Sequence, residues 1–113
     1  MTESGRIASE LTVQAALRRW QADGGMATVL HRGDAWGGAI LLKLNLLDRT
    51  SQLLTQTRDD RGRPAWLRVK DGSRLSEADA DAYIERQLAR DPDLWVVEIE
   101  DRDGRHPFEG KVL

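Results

Sequence analysis

A chain of 113 residues with no cysteine, 40% hydrophobic content and a formal net charge of −2 reads as one domain, long enough to bury a core without disulfides. The missing cysteines exclude thiolate catalysis and every Cys-containing zinc or iron–sulfur site, so His31 and His106 are the only nitrogen ligands left for a metal. Residues 1–70 carry 11 Lys/Arg against 7 Asp/Glu, and residues 71–113 carry 6 against 12; the basic excess is too small and too dispersed for a nucleic-acid surface.

Along the chain, residues 1–8 are polar and lack the apolar stretch of a signal peptide, so they read as a flexible tail. From Ser9 to Asp23, Val13, Ala16, Leu17 and Trp20 recur at helical spacing, with Ser9 as the expected N-cap and Gly24-Gly25 as the stop. "MATVLHR" predicts a short strand and "GDAWGG" a turn. In "AILLKLNLL", Ala39 to Leu47, the residues Ile40, Leu42, Leu44 and Leu46 share one face, and Leu41, Lys43, Asn45 and Leu47 the other. That predicts a central strand. "DRTS" turns the chain into a third strand, "QLLTQT", and residues 58–64, "RDDRGRP", read as a mobile charged loop. "AWLRVK" offers an optional fourth strand. Ser76 to Arg90 predicts the second helix, with Ser76 as its cap, Asp79 three residues on, and Ala80, Tyr83, Ile84 and Leu88 as its stripe. On the last strand, Leu94 to Glu100, Trp95, Val97 and Ile99 form a core stripe opposite Leu94, Val96, Glu98 and Glu100. The expected fold is α+β: a mainly antiparallel sheet of four to five strands with two helices on one face, in the order α-β-β-β-(β)-α-β.

Familiar catalytic patterns are missing. "HRGD", His31 to Asp34, reads as a strand end and a turn. "GDAWGG" resembles a phosphate loop but runs into a strand, not a helix N-terminus. A metal-dependent nuclease core would need an acidic residue and a Glu/Gln-x-Lys on neighbouring strands; Asp48 is placed for the first, but the third strand has no such triplet. No Gly-x-Ser-x-Gly elbow occurs. No cofactor is expected. Carboxylate density alone keeps one enzymatic alternative open: a metal-dependent hydrolase or nuclease using Glu98, Glu100, Asp101 and Asp103 with His106. Against it, these residues fit a strand end and a turn, His106 beside Pro107 fits an exposed edge, and Glu98 and Asp101 read as solvated and replaceable.

"DPDLWVVEIEDRDGRH", residues 91–106, together with "LRRWQADGGMATVLHRGDAWGGAILLKLN" upstream, resembles a family of short bacterial proteins known as a domain of unknown function. The likeness runs from about Thr12 to His106. It implies a small soluble bacterial protein and brings no activity, cofactor or catalytic residue with it.

What remains is a surface. With both helices on one side of the sheet, the other side would expose Leu41, Leu47, Leu94 and Val96 among Lys43, Asn45, Glu98 and Glu100. Trp36 is expected to plug the core edge more readily than to offer a contact. The alternative to a binding face is a solvated sheet with a cross-strand Lys43–Glu98 ion pair. The expectation is therefore a non-catalytic cytoplasmic protein that binds a protein partner or a second copy of itself through an open sheet face or an edge strand. Neither nucleic acid nor membrane is expected as a partner.

Overall fold

A computed structural model describes residues 8–113; the expected tail lies outside the described residues except for Ala8. The elements are α1 (Ser9–Ala22), β1 (Met26–His31), β2 (Ile40–Asn45), β3 (Thr50–Arg58), β4 (Pro64–Arg68), β5 (Leu75–Ser76), α2 (Glu77–Arg90), β6 (Trp95–Glu100) and β7 (Lys111–Val112). A 3₁₀ turn, Val69–Gly72, links β4 to β5. The α+β class holds, and the optional fourth strand forms. The sheet is larger and more mixed than expected: seven strands in the order β1-β6-β2-β3-β4-β7, with β5 paired to β3.

The mixing arises at two places, first at the centre of the sheet. β1 and β2 are consecutive, yet they do not pair. The connection through α2 crosses over the sheet and lays β6 between them, antiparallel to β1 and parallel to β2. A parallel neighbour needs such a crossover, because a short turn can only reverse the chain. β7 is also parallel to its partner, β4.

The crossover overturns the placement of the helices. α1 lies on one face, where Val13 and Ala16 pack with Ile40, Leu42, Leu44, Trp95, Val97 and Ile99. α2 lies on the other, where Ala80 and Ile84 pack with Leu41, Leu53, Leu94 and Val96. The face expected to be open is thus covered over β2 and β3. Strands buried on both faces must be apolar on both, and Leu41, Leu94 and Val96 satisfy that requirement.

α2 starts as the sequence implies, with the Ser76 hydroxyl accepting from the Asp79 N–H at 3.1 Å. α1 does not. Its N-cap is Ala8, with no side-chain cap, and Ser9 is already helical. The first N–H groups of α1 are satisfied instead by the following loop: Ser9 N–H donates to the Trp36 carbonyl at 3.2 Å and Glu10 N–H to the Ala35 carbonyl at 3.0 Å. The Ser9 hydroxyl is thereby free to donate to the Gly38 carbonyl at 2.6 Å. Among the described residues no helix is long and apolar enough to cross a membrane.

Candidate functional site

The acidic residues of the β6 end do not all converge on one point. Glu98 faces α2, where it lies 3.7 Å from the Lys43 ammonium and accepts from Asn45 Nδ2 at 3.2 Å. Asp101 is buried and organises its own turn. Its Oδ2 accepts from the N–H groups of Asp103 (3.1 Å) and Arg105 (2.8 Å), while the Arg105 guanidinium grips both carboxylate oxygens at 3.0–3.1 Å. The Arg105 hydrogen bond holds its pKa below the usual carboxylate value, against the opposing effect of burial. The solvated Asp101 that the sequence suggests is instead buried and fully hydrogen-bonded within its turn. His106 is not an exposed edge residue either. Its ring lies edge-on to Trp66 at 5.8 Å, Nδ1 accepts from the Phe108 N–H at 3.2 Å, and burial lowers its pKa. Among the described residues no group of three or more His, Asp or Glu side chains could hold a metal ion.

Lys43 is the second cluster. It stands in the middle of β2 with its side chain 5% exposed, under the first turns of α2. Its ammonium lies 3.2 Å from Glu77 and 3.5 Å from Asp81, besides the Glu98 contact. The expected Lys43–Glu98 pair exists, but as the covered part of a four-residue network whose Glu77 and Asp81 are exposed. Burial works to lower the Lys43 pKa. The Glu77 hydrogen bond and the charges of Glu98, Glu77 and Asp81 outweigh it, so the pKa is raised. A nucleophilic or Schiff-base lysine needs the opposite shift. Lys43 is a clamp between sheet and helix. Glu77 and Asp81 share one helical side by their i, i+4 spacing, but only a helix on the second sheet face brings them to Lys43.

The third feature is the loop between β1 and β2. Asp34 N–H donates to the Asp93 carbonyl at 2.9 Å, and the Asp34 carbonyl accepts from the Trp95 indole at 2.8 Å. The Asp34 carboxylate accepts from the N–H groups of Trp36 and Gly37 at 3.2 and 2.7 Å. Gly33 and Gly38 press directly on the Asp93 carbonyl and the Trp95 ring, and a Cβ at either would overlap the Asp93 oxygen. His31 Nδ1 lies 2.8 Å from the Leu94 carbonyl, and Arg32 reaches over the Trp95 ring to 5.3 Å. This fixed loop turns Trp36 outward. The side chain expected to plug the core is 80% exposed.

β1, the strand that leads into this loop, is an end strand, and among the described residues nothing pairs with its outer edge. Met26 is 63%, Leu30 45% and Val29 36% exposed. The strand carries no proline, acid or lysine to blunt its edge; its one irregularity is a register shift between Val29 and His31, so the regular free edge runs from Met26 to Val29. Of the residues expected to form an interaction surface, Lys43 is committed to the α2 interface and Asn45 to Glu98 and the Leu47 N–H. Glu98 is mostly covered, Glu100 half-buried opposite Met26, and Trp36 exposed. Met26, Val29 and Leu30 were missed; a strand's position at the edge is not written in its own residues.

Similarity to known proteins follows the whole fold. The chain resembles a protein from Caulobacter crescentus CB15 in two experimental structures, each at 39% identity. The crystal structure superposes with a TM-score of 0.83 over 95% of this chain and 99% of that one. The NMR structure gives 0.79 over 97% and 99%. The solution structure of protein Atu0922 from A. tumefaciens is similar at 32% identity, with a TM-score of 0.70 over 84% of this chain and 86% of that one. No curated protein matches. The Caulobacter structures are described as DUF1491 family proteins, and residues 7–109 match the family model described as "Protein of unknown function (DUF1491)". The chain belongs to the DUF1491 family.

Proposed function

We propose that this chain is a protein-binding module that accepts an extended segment of another polypeptide along the free edge of β1, with Trp36 as an anchor beyond the strand's end. The single observation that carries this reading is the six-residue edge Met26–His31, unpaired on its outer side and flanked by exposed apolar side chains. An added strand satisfies the outward N–H and C=O groups and covers alternate side chains. At about 3.3 Å per residue the edge spans roughly 20 Å, enough for one ordinary strand. A tryptophan held on a hydrogen-bonded loop supplies contact area at little ordering cost.

Two further observations weigh against catalysis as the better reading. Two of the carboxylates that could bind a metal, Asp101 and Glu98, are tied to Arg105 and to Asn45 and Lys43, and the buried lysine is stabilised in its charged form.

Selection of random peptides displayed on phage tests the reading. Binders should be recovered with an extended, β-prone core, and their affinity should fall about tenfold or more in Leu30→Asp and in Trp36→Ser. Both positions are exposed, so both variants should keep the parent's stability to within about 0.5 kcal/mol. Recovery of no binder, or of binders indifferent to both substitutions, contradicts strand addition at β1.

A further inference from the structure

At its Met26 end the free edge of β1 runs into an open groove of about 600 Å³, formed where the end of α1 meets the ends of β2 and β6. The groove has an apolar floor. Trp20 is fixed there by a hydrogen bond from its indole N–H to the Met26 carbonyl at 3.1 Å, and Met26 and Leu47 lie beside it, 63% and 50% exposed. The rim is acidic. Asp23, Glu100, Asp101 and Asp103 line it against Arg102 and Arg105, and Arg105 is already paired with Asp101 and, at 3.9 Å, with Asp103. Among the described residues neither Asp23 nor Glu100 has an ion-pair partner. The carbonyl end of α1 adds negative partial charge on the same side.

We infer that the segment added to β1 is basic: it carries an arginine or lysine next to its strand, seated in this groove. The aliphatic stem would lie on Trp20, Met26 and Leu47, and the cationic head would meet Asp23 and Glu100. Long cationic side chains divide themselves in this way between apolar surface and water, and an indole face favours a cation. The inference rests on strand addition at β1 and adds the chemistry of the partner. A second copy of this chain fits less well. Antiparallel pairing of β1 with itself would bring the partner's His31 end to the groove, but the cation there, Arg32, is bound to Glu10 and stacked over Trp95.

Two peptides decide it, each with an alternating Val-Thr core, one flanked at both ends by Arg-Arg and the other by Glu-Glu. Each is titrated into the ¹⁵N-labelled full chain and followed by backbone amide shifts. The arginine-flanked peptide should bind about tenfold more tightly, the sum of two or three exposed ion pairs. That preference should shrink as salt rises from about 50 to about 300 mM. Asp23→Asn combined with Glu100→Gln should abolish the preference without weakening the glutamate-flanked peptide. Equal affinities, or a preference that survives the double variant, overturn the inference and leave strand addition standing. An arginine preference that Leu30→Asp leaves untouched, with shifts at the groove and none along β1, overturns strand addition and keeps the groove. Binding by neither peptide overturns the inference.

Discussion

Trp95→Ala should lower stability by about 3–5 kcal/mol, the usual result of truncating a large buried side chain. Trp95 is 1% exposed and packs with Ile40, Val97 and Ile99 beneath α1. Its indole N–H donates to the Asp34 carbonyl, so truncation also removes a tie that holds the Trp36 loop. Domains of this size hold roughly 5–15 kcal/mol in total, so the variant should be barely folded at room temperature. Trp95→Phe separates the two contributions. It keeps most of the volume but removes the indole hydrogen bond to the Asp34 carbonyl, which still accepts from the Gly38 N–H at 3.3 Å, so the added cost should be about 0.5–1.5 kcal/mol. Denaturant melts of both variants are the check. A Trp95→Ala protein that melts like its parent would mean that the stripe of β6 faces solvent.

Asp101→Asn is the second large effect, at about 1.5–3 kcal/mol near neutral pH, because charge-assisted hydrogen bonds to a covered carboxylate are lost together. Asparagine offers one acceptor oxygen where two are used, and its NH₂ would face the Arg105 guanidinium. The pH dependence follows from the lowered pKa of Asp101, caused first by the Arg105 hydrogen bond. A depressed carboxyl pKa contributes stability above its unfolded value, about 3.9, and that contribution is lost as pH falls through the folded value. The difference between parent and variant should therefore be full at pH 7 and shrink below about pH 4. Melts at several pH values read it directly; a difference that stays constant into acid would show that the carboxylate charge contributes nothing.

Much of this fold could be read from local pattern. The α1 stripe of Val13, Ala16, Leu17 and Trp20, the Ser76 cap and stripe of α2, and the Trp95–Val97–Ile99 stripe of β6 all reach the core as expected. These depend on periods of 3.6 and 2, which a chain carries in its own spacing. The side of the sheet taken by each helix does not. Nothing local says that β6 will enter between β1 and β2, and that insertion sends α2 to the second face. One signal was legible: Leu41, Leu94 and Val96 leave their strands apolar on both sides, the pattern of a doubly covered sheet. The site was less legible than the fold. Lys43 and Asn45 share a strand face as expected, but that face became an interface with α2. Trp36 stands in a loop without periodicity, and its exposure depends on Gly33, Asp34 and Gly38 locking the backbone around the Asp93 carbonyl and Trp95.

The free edge of β1 is the central claim, and amide hydrogen exchange across Met26–His31, with and without a selected binder, tests it most directly. From Met26 to Val29, ahead of the register shift before His31, alternate residues point their N–H groups inward, to β6, and outward, to solvent. The inward amides should exchange slowly in both states. The outward amides should exchange fast in the free chain and slow down by about tenfold or more when a bound strand accepts their hydrogen bonds. That every-second-residue pattern is the result the account predicts. A binder that leaves all the β1 amides unchanged, and protects another segment instead, would contradict it.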